Sequence, residues 1–161
     1  MYFTLDMVNE IINNSNYIKY SILLEELEKD RVFCKHGIGH SLSVARIAYI
    51  KVLEDKLSYS KQVIYAIALL HDIGRVLEYK ENIPHDTGSL ILSKKILDQT
   101  SFSSLDKQLI LKAIGEHRNE EANELSRIIF FSDKLSRNCF SCISEEECYW
   151  ANEKKNFKIK Y

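Results

Sequence analysis

The feature that most limits how this chain folds is the scarcity of helix-breaking residues. Its 161 residues include one Pro and five Gly, the two residue types that interrupt helices most strongly. Apolar residues recur mainly at three- and four-residue spacings, which is typical of amphipathic helices. There is no internal repeat, low-complexity segment or linker. The sequence therefore predicts one all-α domain, a bundle of about six to eight helices.

Helix positions follow from the apolar stripes and from polar residues that cap the first turns. In the second helix, Ser15 is the expected cap. The expected buried stripe of that helix is Ile18, Ile22, Leu23 and Leu27. The predicted helices span residues 5–13, 16–30, 38–56, 60–71, 75–80, 85–98, 104–117 and 121–138. Residues 157–161 alternate between apolar and polar, which predicts a short strand or a frayed end.

Composition and charge exclude several classes of protein. The chain is 45% apolar and 28% charged, with 22 basic and 23 acidic residues, so it has no general attraction to nucleic acid or to anionic membranes. The longest apolar run, Val63 to Leu70, is far short of the roughly 20 residues that a membrane helix needs. No basic region followed by a long apolar run opens the sequence, so we expect no signal peptide and a cytoplasmic location.

An apolar run from Tyr65 to Leu70 ends on an adjacent His71-Asp72 pair, followed by Gly74 and Arg75. A carboxylate at the margin of a core is costly to bury unless a cation or hydrogen bonds compensate its charge. A metal ion compensates both side chains at once, because imidazole nitrogen and carboxylate oxygen are common ligands.

Other His and Asp residues precede and follow this pair in a particular order along the chain. His40 begins the segment His-Ser-Leu-Ser-Val-Ala-Arg-Ile-Ala, His71-Asp72 precedes Ile-Gly, and Asp133 lies in Ser-Asp-Lys. This order on three helices resembles the HD superfamily of metal-dependent phosphohydrolases, over roughly residues 36–137. The resemblance implies an HD-type helical domain with an N-terminal helical part (1–35), an HD core (36–138) and a cysteine-containing tail (139–161).

The resemblance also implies a set of metal ligands. His40, His71, Asp72 and Asp133 are expected to bind one divalent ion, such as Fe, Mn, Zn or Mg. His85 and His117 lie where binuclear members carry two further histidines, so Asp72 would bridge two ions, with a hydroxide between them as the nucleophile. His36 is a further candidate ligand, although Gly37 and Gly39 suggest that it precedes the helix and only lines the site.

Other residues are candidates for substrate binding and proton transfer. Arg75 suits a substrate phosphate oxygen. Lys134 and Arg118 are weaker candidates, because an exposed cation beside a site is usually just solvated. Asp72 and His117 are the predicted catalytic residues; His117, or His85, would protonate the leaving group if it is not bound to metal.

The implied function is hydrolysis of a phosphoester or phosphoanhydride bond in a nucleotide or a related phosphorylated small molecule. No Gly-Tyr-Pro follows residues 116–118, and no Glu-Asp pair follows His71-Asp72. These absences argue against cyclic-di-GMP and guanosine-tetraphosphate hydrolysis. The size of the chain and its number of candidate ligands are most similar to those of the small bacterial diadenosine-tetraphosphate hydrolases, although the residues after Asp133 differ.

Two alternatives to an enzyme stay open. The chain could be a non-catalytic nucleotide- or metal-binding module, or a helical bundle in which the metals only hold the helices together. Neither a nucleic acid nor a membrane partner is expected, and a homo-oligomer stays open.

Four cysteines are a separate feature. Without a secretion signal, they are expected to be reduced thiols or metal ligands. Cys139, Cys142 and Cys148 follow the helix that bears Asp133, and Cys34 precedes the helix that bears His40. If those two helices meet at a metal, the four thiols approach one point. This predicts a thiolate site for zinc first and for an iron–sulfur cluster second; the alternative is four reduced thiols.

Overall fold

Residues 4–161, the part of the chain that the computed structural model describes, form an all-helical single domain without a β-strand, as predicted. None of its helices has the length and apolarity that a bilayer crossing requires. Of the two alternatives for residues 157–161, the strand is wrong, because they have no regular structure. The elements are α1 (Asp6–Ile12), α2 (Ser15–Leu27), α3 (Ile38–Glu54), α4 (Lys61–Leu70), α5 (Arg75–Glu81), α6 (His85–Leu97), α7 (Ser104–Glu116), α8 (Glu124–Leu135) and two 3-10 helices (Cys139–Ser141 and Asn152–Lys154).

Helix α4 lies at the centre of the bundle, where it packs against α1, α3 and α7. Every residue from Val63 to Leu70 except Tyr65 is buried, and a helix that is apolar all round is a core helix. Because α4 ends inside the protein, the residues that follow it, His71 and Asp72, are buried too.

The sequence prediction for α2 is wrong in two respects. Its N-cap is Asn14, whose side chain accepts hydrogen bonds from the backbone of Asn16 and Tyr17; Ser15 is the first helical residue. The predicted stripe is also misplaced, since Ile18, Ile22 and Leu27 are exposed, whereas Tyr17 and Leu24 are buried. Helix α2 has apolar residues on more than one face, so spacing alone does not select the one that faces α5 and α6.

Two glycines set the close approach between the end of α4 and the start of α6. A Cβ atom on Gly74 would lie 1.9 Å from the backbone nitrogen of Ser89, and one on Gly88 would lie 2.7 Å from the carbonyl oxygen of Gly74. The Ser89 hydroxyl donates to the carbonyl of His71 (2.6 Å) and accepts from the Gly74 N–H (2.9 Å). This contact fixes the first turn of α6, and with it His85, beside Asp72.

We expect Gly74→Ala to lower the free energy of unfolding by at least about 3 kcal/mol, because the added methyl group meets backbone atoms that cannot move aside. Urea denaturation of both proteins measures the change. Gly39→Ala is the matched control, since a Cβ atom there meets nothing within 4 Å and Ala is worth up to about 1 kcal/mol over Gly in a helix. Equal stability of the two variants would contradict the close-contact explanation.

Candidate metal centre

Two groups of potential ligand atoms share the carboxylate of Asp72. Within each group, every ligand atom lies within 4.8 Å of all the others. The first group consists of His40, His71, Asp72 and Asp133, and the second consists of Asp72, His85 and His117. The structure thus brings together six of the seven residues that the sequence analysis proposed as ligands.

Five helices position these side chains at one point. His40 is in the first turn of α3 and His85 is the first residue of α6, whereas His71 and His117 are the C-caps of α4 and α7, and Asp133 lies near the end of α8. The ring centroids of His40 and His71 are 5.5 Å apart, those of His71 and His117 are 5.3 Å apart, and those of His117 and His85 are also 5.3 Å apart. The four imidazoles therefore form a continuous row.

The two oxygens of Asp72 face different histidines. Oδ2 lies 3.1 Å from Nε2 of His71 and 3.6 Å from Nε2 of His40, whereas Oδ1 lies 3.7 Å from Nε2 of His85. Oδ1 also accepts a hydrogen bond from Nε of Arg75 at 3.0 Å. One carboxylate oxygen is thus directed at each ligand group, as a bridging carboxylate requires.

Two of the histidines are oriented by the ends of their own helices. Nδ1 of His71 lies 2.8 Å from the carbonyl oxygen of Ala68, and Nδ1 of His117 lies 2.6 Å from that of Ile114. A carbonyl oxygen only accepts, so each Nδ1 carries a proton and donates. Hydrogen bonding of this kind fixes the tautomer of a metal-binding histidine and leaves Nε2 for the metal.

The other two histidines of the ligand groups, His40 and His85, also donate a hydrogen bond from Nδ1. Ser136 donates its hydroxyl proton to the carbonyl oxygen of Asp133 (2.7 Å), so the hydroxyl oxygen accepts from Nδ1 of His40 at 3.2 Å. Nδ1 of His85 donates to Oε1 of Glu78 at 3.2 Å. All four imidazoles therefore direct Nε2 towards the site.

The unpartnered Nε2 of His71 tests whether this site fits a cation. This atom is fully buried and has no hydrogen-bond partner among the described residues, although the Asp72 oxygen is only 3.1 Å away. Burial alone would raise the pKa of Asp72, but the neighbouring His71 and the guanidinium of Arg75 hold it well below its usual range, so the carboxylate is ionised. A divalent cation among these nitrogens and carboxylates would give Nε2 of His71 a partner and would offset the charge of Asp72. The residues present fit a divalent metal.

His36 lies beside the two groups but belongs to neither. Its ring is 5.8 Å from that of His40, and it precedes α3, as the neighbouring glycines suggested. Its Nδ1 and its backbone N–H both bond to the buried carboxylate of Glu28, at 2.5 and 2.7 Å, and Tyr79 donates to the same carboxylate at 2.7 Å. Burial would raise the pKa of Glu28, but these bonds lower it to about 2. The role of His36 as a ligand stays a prediction.

The three predicted substrate-binding cations all line the cavity above this site. The guanidinium of Arg75 is also bonded to Asp72 and to Oε2 of Glu78 (3.3 Å), and Nζ of Lys134 bonds to Asp133 at 2.5 Å. Arg118 is exposed. Arg75 and Lys134 thus help to hold the site carboxylates, a role that the sequence analysis did not foresee.

Four further residues at the site were not predicted from the sequence: Glu28, Glu78, Ser136 and Arg137. Nη2 of Arg137 lies 3.2 Å from Nε2 of His40 and 3.5 Å from Oδ1 of Asp133. Its position one helical turn after Asp133 was a signal that it shares a face with that ligand. Glu28 gave no such signal, because it is one of several acidic residues at the end of α2.

The four cysteines are unpaired, and they line the same cavity. Among residues 4–161, no three of their sulfur atoms all lie within 4.8 Å of one another. The structure therefore brings Cys34 to the wall formed by Cys139, Cys142 and Cys148, but not into contact around a single ion.

The cavity above the candidate metal centre has a volume of about 550 Å³. Cationic side chains outnumber carboxylates on its walls, six to three. The cations are Arg31, Arg75, Arg118, Lys134, Arg137 and Lys155, and the carboxylates are Asp72, Asp133 and Glu145. Three aromatic residues, Phe33, Tyr149 and Trp150, also line it.

Comparison with known proteins gives one family and one relative. The family model described as "HD domain" matches residues 37–138, more than half of the chain. A protein of Clostridium beijerinckii, described as uncharacterized, is 43% identical over 157 residues, which are 98% of this chain and 100% of that protein. No solved structure matches the chain.

We expect Mn²⁺ to stabilise the metal-free protein through Asp72. At a free concentration of about 100 times Kd, binding adds about 2.7 kcal/mol, which raises the thermal midpoint by roughly 5–10 °C for a domain of this size. Asp72→Asn should abolish the shift, because the amide keeps the shape and loses the charge. Thermal scans with and without Mn²⁺ measure it.

The matched control is Asp98→Asn, because Asp98 is an exposed C-cap that bonds to Lys94 alone among the side chains. It should keep the full shift. Circular dichroism of the metal-free proteins establishes that both variants are folded. A shift of wild-type size in folded Asp72→Asn would contradict the assignment.

Proposed function

Because the chain belongs to the HD domain family, we propose that it is a metal-dependent phosphohydrolase that cleaves a phosphoester or phosphoanhydride bond of a nucleotide or a related phosphorylated small molecule. The observation that carries this proposal is the buried, ionised Asp72, which faces Nε2 atoms of His40, His71 and His85 at 3.1–3.7 Å. A carboxylate at the surface is hydrated, and a single buried histidine needs only a hydrogen-bond partner. Neither explains a buried carboxylate that three imidazole nitrogens face.

The ligand groups assign a role to each side chain. His40, His71, Asp72 and Asp133 would hold one divalent ion, and Asp72, His85 and His117 would hold a second. Such ions supply Lewis-acid stabilisation of phosphoryl charge and a water of lowered pKa. The chain itself keeps the nitrogens oriented through their Nδ1 bonds and keeps Asp72 ionised.

His117 is better suited to metal binding than to proton donation. Burial lowers the pKa of His117 to about 4, so its imidazole is neutral near pH 7. A neutral imidazole is the form that binds a metal. Proton transfer to the leaving group therefore has to come from another residue or from solvent when His117 is a ligand.

The cavity supports a nucleotide as the substrate. Its excess of cationic side chains suits a polyanion such as a phosphate chain. Arg118 and Lys134 lie on its wall beside the ligand groups, where guanidinium and ammonium groups would neutralise phosphate charge. Phe33, Tyr149 and Trp150 offer aromatic surfaces for a base. A volume of about 550 Å³ is within the range of small-molecule sites.

A hydrolysis screen tests the proposal. The purified protein is loaded with Mn²⁺ or Fe²⁺ and incubated with nucleoside phosphates, dinucleoside polyphosphates, cyclic nucleotides and a chromogenic phosphodiester, and the products are separated by chromatography. We expect turnover of at least one nucleotide. Asp72→Asn should lower kcat/KM by at least about a hundredfold, the size of effect seen when one transition-state-stabilising group is lost.

Asp98→Asn should retain wild-type turnover, which separates loss of the site from a general effect of removing a carboxylate. Dinucleoside polyphosphates are in the panel because the sequence resembles the small diadenosine-tetraphosphate hydrolases in size and in number of candidate ligands, a relation that stays a prediction. A protein shown to be fully metallated that hydrolyses none of these compounds would contradict the enzyme and favour the non-catalytic binding module.

A further inference from the structure

We propose that Cys34, Cys139, Cys142 and Cys148 hold an iron–sulfur cluster in the wall of the cavity. This site is additional to the proposed metal centre and shares no ligand with it. The fold brings Cys34, on the loop before α3, to three cysteines that are more than 100 residues away in the sequence, and all four line one cavity.

The tail and the loop before α3 are fastened to each other by polar contacts. The Ser144 hydroxyl donates to the carbonyl of Val32 (3.0 Å), and Nη1 of Arg137 donates to that of Lys35 (2.9 Å). The Phe33 and Tyr149 rings meet edge to face at 6.0 Å. These contacts involve residues on both sides of Cys34 in the sequence, so they hold Cys34 opposite the tail.

The tail has little apolar core of its own. Its regular structure is limited to two three-residue 3-10 helices, and Phe140, Ile143 and Tyr149 are exposed. A segment of this kind buries too little apolar surface to offset the entropy of ordering it. Ligation of a metal or cluster supplies folding free energy in such cases.

Two cationic side chains lie on the cavity wall near the thiols. The side chain of Lys155 is only 6% exposed and donates to the carboxylate of Glu145 at 2.6 Å, and the side chain of Arg137 is 11% exposed. Both line the cavity together with all four cysteines. Cationic groups at this wall suit an anionic group of thiolates.

The separation of the sulfurs favours a cluster over a single ion. A tetrahedral zinc ion with Zn–S bonds of about 2.3 Å holds its sulfurs about 3.8 Å apart. No three of these four sulfurs, all within the described residues, lie even within 4.8 Å of one another. A cluster spreads its thiolates over several iron atoms and so accepts a more open set of four cysteines.

Acid-labile sulfide distinguishes this cluster from iron in the metal centre, which contains no inorganic sulfide. The full-length protein is purified without oxygen, reconstituted with Fe²⁺ and inorganic sulfide, and analysed for iron, zinc and sulfide and by visible absorption. We expect sulfide together with broad visible absorption. Cys142→Ser and Cys34→Ser should each lose most of the sulfide, whereas Ser141→Ala, its exposed neighbour, should keep it.

Asp72→Asn should keep its sulfide, so the result is independent of the hydrolase proposal. Circular dichroism identifies any cysteine variant that fails to fold, and the sulfide content of the wild-type protein decides the question regardless. Reconstituted wild-type protein without sulfide, or with zinc in place of iron and sulfide, would overturn the proposal. A Cys142→Ser protein with wild-type sulfide would also overturn it.

Discussion

The burial of one ionised carboxylate, Asp72, governs how the rest of the molecule is arranged. Helix α4 is apolar on all sides and therefore ends in the interior, where a carboxylate loses its hydration. Within the bundle, Nε of Arg75 donates to this carboxylate at 3.0 Å, but the three imidazole Nε2 atoms that face it at 3.1–3.7 Å present lone pairs, which do not offset its charge. Since Nε2 of His71 has no hydrogen bond within residues 4–161, this compensation is incomplete in the protein alone.

The C-terminal ends of two helices orient two of the imidazole rings of the site. The last carbonyls of a helix have no partner within it, and in α4 and α7 one of these carbonyls accepts the Nδ1 proton of the C-cap histidine. His71 and His117 are thus oriented by local structure alone. His40 and His85 depend instead on Ser136 of the α8 terminus and Glu78 of α5, so their orientation depends on tertiary packing.

The sequence predicted which side chains meet at the site, but not which partners orient them. The all-α fold followed from the apolar spacing and the scarcity of helix breakers. The resemblance to the HD superfamily implied the convergence of six side chains, and the structure brings these together: His40, His71, Asp72, Asp133, His85 and His117. The partners of the histidines did not follow, because Glu28 and Glu78 look like ordinary surface residues until the packing is known. The face of α2 was mistaken for the same reason: Ile18 and Ile22 fit a helical stripe, but the tertiary contacts of α2 bury Tyr17 and Leu24 instead.

The proposed role of Asp72 is to serve as a ligand to both ions. Anomalous diffraction from crystals grown with Mn²⁺, recorded above and below the manganese absorption edge, tests it most directly. We expect two anomalous peaks, one in contact with His40, His71, Asp72 and Asp133 and the other in contact with Asp72, His85 and His117. A single peak would contradict the bridging role, and fully loaded crystals without a peak at Asp72 would contradict the metal centre itself.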